Sequence, residues 1–431
     1  MKHNRVALAA AFAIAALAAQ DAVAARLEYT LDLGIGRNDN LNFSPDDPRE
    51  DTIYRPGVGF SLTEDSEKVH ASVAGRVEYR HYADGTYDNG VDGEVSGRVD
   101  WHAIPNRLTF TVEDTLGLEA IDTLEADSPD NRQQVNVFSA GPNLAFRVGA
   151  AMDGDVELRY VDTEAEVTDE FNSSRVDLAV RTTRRLDAAS NLALNLRVQS
   201  VDFDNEGTGR NYQRADLYGR YERHLHRFDL GLDAGYSTIN YKRGSGDRSE
   251  PLLRGDVTWI PSDAHRFSLG VAQQFSDAAT DAMEQLDDGV VAPGSILTGD
   301  TVINASPFKE RRATFDYTYT STRYSVAMES YAHRLDYVDS DEFDQTGRGV
   351  RATLLWVLNS RLVAGAFAGI DVVRYSQLER EDKFRRYGLN LSRTFTSHWS
   401  GRLELSRIER ETRPGPDAQQ NSLFLVIRYT R

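Results

Sequence analysis

The chain contains no cysteine, so neither a disulfide framework nor a thiolate metal site is open to it. It has no surplus of basic charge either. Its 67 acidic residues against 49 lysines and arginines give a formal net charge of -18, the opposite of the basic stripe a nucleic-acid partner requires. Beyond its first residues it lacks any apolar run of the roughly 18 residues that a spanning helix needs. A GxSxG nucleophile elbow and an HExxH zinc helix are also missing. If such a chain enters a membrane, it crosses as a closed sheet in which every backbone polar group is paired.

The one long apolar run comes first. Lys2, His3 and Arg5 precede a continuous apolar stretch from Val6 to Ala18, and Ala22-Val23-Ala24 offers small residues for cleavage, the pattern of a secretory signal peptide over residues 1–25. Residues 26–431 then form the mature domain. With 40% hydrophobic residues and a negative mean hydropathy it reads as soluble on average. A membrane barrel gives the same average, because each lipid-facing residue alternates with a polar one.

That alternation is what the sequence does contain. Between Val91 and Trp101 the odd positions are Val, Gly or Trp and the even ones Asp, Glu, Ser or Arg; a Pro-Asn turn near Ile104 to Asn106 follows, and then Leu108, Phe110 and Val112 alternate with Thr109, Thr111 and Glu113. Period two on both sides of a short turn predicts an antiparallel hairpin with one apolar and one charged face. The unit recurs from Leu27 to Ile35 through to Leu423 to Tyr429. Thr52 to Leu62 and Phe138 to Val148 even repeat one spacing of Pro, aliphatic, Phe and aliphatic at every second position, the mark of hairpin repetition. The prediction is one up-and-down transmembrane β-barrel of about 20 strands, with 18 as the alternative count. Only Leu362 to Val373, apolar on both faces, has no readable phase.

Short connections, such as those near Glu64 to Lys68, Pro261 to His265 and Thr396 to Ser400, alternate with longer acidic ones, the longest from Ser276 to Glu310. Outer-membrane barrels are wired this way, with short periplasmic turns and long extracellular loops. All four tryptophans, Trp101, Trp259, Trp356 and Trp399, fall within a few residues of a short turn, where a periplasmic aromatic girdle is expected. An Arg facing lipid at the midplane costs about 2–4 kcal/mol. Arg76, Glu78, Arg98, Arg159, Arg175, Arg181, Arg197, Arg220, Arg254 and Arg351 are therefore predicted to line the lumen. Two interpretations stay open: a wet pathway whose guanidinium groups bind sugar hydroxyls or acidic groups, or a salt-bridge mesh that fills the interior.

The loop acids, among them Asp46, Asp47, Glu50 and Asp51, Asp281 to Asp288, and Asp339 to Asp344, lack the spacing and central Gly of an EF-hand, so no metal site is expected from them, and no cofactor. His224 and His226 share a face but flank a turn. Ser330, His333 and Asp336 are the one grouping near the outer rim with nucleophile, base and orienter, yet strand periodicity sets His333 opposite the other two. No catalysis is expected.

The run GRNDNLNFSPDDPREDTIYRPGVGF, Gly36 to Phe60, with Asp39, Asn40, Leu41 and Asn42 and then Pro56-Gly57, resembles the start of a family of outer-membrane barrels associated with exosortase and PEP-CTERM systems and exopolysaccharide operons. The resemblance implies a Gram-negative outer-membrane location and an association with assembly or export of an extracellular polysaccharide, with no catalytic residues. Expected partners are outer-membrane lipid and lipopolysaccharide, the barrel-assembly machinery, the polymer and periplasmic export proteins. The chain departs from outer-membrane barrels in one respect, having Thr430 and Arg431 after its last aromatic, Tyr429. The alternative functions are a general diffusion porin for small solutes and a closed structural barrel displaying its acidic loops.

Overall fold

The computed structural model describes residues 25–122, 124–125, 128–149, 151–205, 210–242, 247–278, 280 and 306–431. Residues 1–24 of the expected signal peptide and the Asp281 to Asp288 acids lie outside these residues, as does most of the connection from Ser276 to Glu310.

Twenty strands follow one another: β1 Arg26–Asn38, β2 Asp51–Asp65, β3 Val69–Tyr82, β4 Gly90–Ile104, β5 Leu108–Ala120, β6 Arg132–Val148, β7 Met152–Ala165, β8 Ser173–Arg185, β9 Ser190–Phe203 and β10 Tyr212–Leu225. The second half continues with β11 Phe228–Tyr241, β12 Arg248–Ser262, β13 His265–Ser276, β14 Phe308–Thr320, β15 Tyr324–Tyr337, β16 Gln345–Asn359, β17 Leu362–Tyr375, β18 Arg380–Thr394, β19 Trp399–Arg413 and β20 Ala418–Thr430. Each pairs antiparallel with its neighbours in sequence, and β1 closes on β20 in a register from Thr30↔Thr430 to Asn38↔Ser422. Asp32 and Arg428 face each other across that seam, with Arg428 Nε donating to Asp32 Oδ1 at 2.6 Å.

The hairpin at Val91 to Glu113 folds as its period demands. Trp101 pairs with Phe110 and Val99 with Val112; Asn106 takes a left-handed φ of 58° in the turn, and the Arg107 N–H donates to the Ile104 carbonyl at 3.0 Å. Along β1, Leu31 and Leu33 are 48% and 62% exposed while Asp32 between them is 5% exposed, so the apolar face is the outer one. In water that surface would be costly; in lipid each such side chain recovers on the order of 1.5–3 kcal/mol. The strands run 12 to 17 residues, longer than the roughly 9–11 a tilted strand needs to cross a bilayer. They therefore project beyond it.

That excess length explains two connections at the long-loop end. Residues 376–379 and 414–417 are as short as turns because the charged stretches before and after them stay in the sheet. Arg374 pairs with Glu381, and Lys383 and Arg385 with Glu411, so cross-strand ion pairs extend β17, β18 and β19 past the apolar band. β17 also acquires its phase. Asp371 points inward, accepting from the Tyr331 hydroxyl at 3.0 Å, and Ile370 faces out.

Candidate functional site

A cavity of about 1120 Å³ lies inside the wall made by β1 to β6 and β18 to β20. Its lining runs from Thr394 and Thr430 at the short-turn end to Asn38, Leu41, Tyr82 and Pro129 near the loops. Arginines outnumber carboxylates in that lining nine to six, in a chain whose acids exceed its bases, and twelve serines and threonines add hydroxyls. Such a chamber presents planar forks of N–H donors and small hydroxyls rather than an apolar surface, which suits oxygen-rich ligands.

Of the ten residues expected in the lumen, Arg76 and Arg98 line this chamber. Arg76 reaches Asp32 at 3.2 Å and Glu78 at 2.8 Å, and Arg98 donates to Asp100 at 2.8 Å and Glu113 at 2.6 Å. The others knit the rest of the wall. Arg159 donates to the Leu158 and Pro142 carbonyls, Arg181 to Asn195 at 2.9 Å, and Arg197 pairs with Asp177. Arg220 and Arg254 share Asp233, at 3.2 and 2.8 Å, and Arg351 lies 3.4 Å from Asp371. Arg55, Arg80 and Arg386 also line the chamber and were not anticipated. Arg55 was within reach, since Pro56, Val58 and Phe60 share the outer face and so turn it inward.

Two loop segments cross into the lumen. The β5–β6 connection reaches the opposite wall, where Arg410 donates to the Leu124 and Glu125 carbonyls at 2.8 and 2.6 Å and Asp382 holds Arg410 at 3.1 Å. After β13, Asp277 is buried between β8 and β10. Arg175 Nη1 donates to both its oxygens at 2.8 Å, the Tyr212 hydroxyl donates at 2.8 Å, and the Thr280 N–H at 2.9 Å. Ala278 then packs on Val135, Ala165 and Phe171. Burial alone would raise the Asp277 carboxyl, but the Arg175 guanidinium and the Thr280 and Tyr212 donors outweigh it and hold it below the usual carboxylate range.

The four tryptophans are exposed on the outer face at the short-turn end and sit beside other aromatics: Trp101 on Phe110, Trp259 on Phe267, Trp356 on Tyr324 and Trp399 against Tyr429, with ring centroids 5.2 to 6.0 Å apart. Ser330, His333 and Asp336 do not meet. The Ser330 hydroxyl donates to the Phe315 carbonyl, Asp336 accepts from Arg334, and the buried His333 ring stacks on Tyr331. His224 lies 3.0 Å from Asp229. Among the described residues no group of three or more His, Asp or Glu is placed to hold a metal. Asp51, expected among the loop acids, opens β2 and accepts from the Asp84 and Thr86 N–H groups of the β3–β4 connection.

The Asp39 to Asn42 run ties the first loop to the seam. Asn40 donates to the Ser44 and Gln419 carbonyls, both at 2.8 Å, Asp39 accepts from the Asn421 N–H and side chain at 2.7 Å, and Asn42 clasps Asp47 and Arg49.

A closed sheet with an apolar exterior, an aromatic girdle and a charged interior is an outer-membrane β-barrel, the architecture of the Gram-negative outer membrane. No family model matches the chain, and no curated protein does. Solved structures do. The FrpB iron transporter from Neisseria meningitidis (F5-1 variant, apoprotein form) superposes with a TM-score of 0.51 at 10% identity, over 94% of this chain and 81% of that one. A mutant of the ferric enterobactin receptor PfeA from Pseudomonas aeruginosa gives 0.50 at 9% identity, over 94% and 80%. The outer membrane protein opdK from the same organism gives 0.41 at 9% identity, over 94% and 99%. At these identities the common property is the barrel fold.

Proposed function

We propose that the chain is a conduit through which an extracellular polysaccharide crosses the outer membrane. The observation that carries this reading is the chamber, whose lining of arginine and hydroxyl matches a chain of hydroxyls and acidic groups. The resemblance over Gly36 to Phe60 supports the same substrate class. Each hydrogen bond between wall and sugar is worth only about 0.5–1.5 kcal/mol net. Many weak, equivalent contacts hold a polymer in the pathway without trapping it, as conduction requires. The driving force for export enters with periplasmic partners at the short-turn end. The crossings at Leu124-Glu125 and at Asp277 narrow the outer half and must yield during passage.

Single-channel recording in a planar bilayer, with and without the producer's own polymer, tests this. The expectation is a current blocked by the polymer, with the block weakened by Arg98→Ala combined with Arg181→Ala. A current indifferent to the polymer makes the chain a diffusion porin, and no current under any condition leaves a closed structural barrel.

A further inference from the structure

We infer that Arg55 and Arg76 form a subsite for an anionic substituent of the saccharide in transit, an oxyanion such as a uronate carboxylate; the inference rests on the conduit reading. Arg55 stands on β2 with its guanidinium carbon 4.2 Å over the Phe424 ring. That ring lies flat on Gly36, where a Cβ would come within 2.0 Å of it, so the platform under Arg55 is fixed from below. The Arg55 side chain is 9% exposed and lines the chamber, yet its nearest carboxylate oxygen, Glu78 Oε1, is 3.7 Å from Nη1, and its Nε makes no hydrogen bond. Arg76 Nε is buried without a hydrogen-bond partner as well.

The carboxylates nearby are already engaged. Glu78 is shared by Arg76 and Arg80, Asp32 by Arg76 and Arg428, and Asp92 is held by Arg80 at 2.9 Å. Two further acids of the chamber wall lie close to the pair: Glu94, paired in register with Arg76, and Glu404 on β19, which is held by Arg402 at 2.6 Å. With no carboxylate in hydrogen-bond reach, Arg55 meets an incoming oxyanion through its terminal nitrogens at the chamber face, in short, charge-assisted bonds that a neutral hydroxyl makes less well. The ring beneath Arg55 leaves the guanidinium plane oriented before the ligand arrives, so little ordering is lost on binding. Uronate residues of a passing chain thus pause at this height of the wall while neutral residues slide past.

Calorimetric titration of the refolded full barrel in detergent micelles tests the subsite, with a galacturonic-acid hexamer, maltohexaose and potassium phosphate as probes. The hexauronate binds more tightly than maltohexaose; Arg55→Gln and Arg76→Gln each weaken it by about tenfold, the loss of one charge-assisted hydrogen bond, and weaken maltohexaose by clearly less. Arg55→Lys retains part of the affinity, and Glu94→Gln increases it. Heat-modifiable gel mobility verifies that each variant is a folded barrel. Equal binding of both hexamers, or unchanged hexauronate affinity in the folded Gln variants, removes the subsite and leaves the conduit standing. Phosphate displacing hexauronate at equal concentration makes this a free-anion site instead. Failure of both sugars to bind the wild-type barrel removes the conduit reading with it.

Discussion

Asp32 shows how much one inward side chain carries. Its carboxylate is closed off from solvent and bridges the seam, binding Arg428 of β20 on one side and Arg76 of β3 on the other. Asp32→Asn keeps the shape but leaves two guanidiniums facing a neutral amide, and removing one partner of a buried ion pair costs about 3–5 kcal/mol. Thermal unfolding in micelles is therefore expected to shift well below wild type, and an unchanged midpoint would show that the seam is held by its backbone ladder alone. Asn40 acts beside the same seam. Asn40→Ala removes its bonds to Ser44 and Gln419, roughly 1 kcal/mol each; limited proteolysis should then cut the first outer loop sooner. At this scale the sequence told faces but not partners. Period two turned Arg76, Arg98 and Arg220 inward, whereas the pairing of Arg428 with Asp32 depends on a closure between residues nearly 400 positions apart.

Among the elements, the hairpins were the most legible. Each carries its own period and its own turn, so β4 and β5 could be placed from Val91 to Glu113 without reference to the rest. β17 could not, because Leu362 to Val373 is apolar on both faces and only the placement of Asp371 against Tyr331 fixes its phase. The inward crossings were hidden for another reason. Loops have no period, and an acidic stretch looks the same in the sequence whether it meets water or, like Asp277, a buried Arg175. Since the Asp277 carboxyl is depressed in the folded chain, its contribution is present above the ordinary carboxyl value near 4 and is lost only as pH falls through the lower folded value. The contact of Asp277 with the Thr280 amide should thus survive a change from about pH 7 to about pH 5. Hydrogen exchange at the Thr280 amide reports it directly, and protection that vanishes by about pH 5 would contradict the assignment. Asp277→Ala should abolish that protection at neutral pH, because Arg175 is left buried without its partner.

Across the whole molecule, the sequence and the structure agree on a barrel because one rule governs every strand: lipid on one side, water and charge on the other. Chain-wide averages conceal this. A formal charge of -18 describes the protein as acidic, while the chamber at its centre is lined by more arginine than carboxylate. The segregation places acid toward the loops and base along the chamber wall, the distribution on which the proposed passage of an anionic polymer rests. The claim of export is tested most directly in the producing cell, by measuring where the polysaccharide accumulates when the gene for this chain is deleted and when it is restored. Polymer is expected to be retained in the periplasm of the deletion strain and released again on complementation; polymer appearing outside the deletion strain at the wild-type level would contradict export through this barrel.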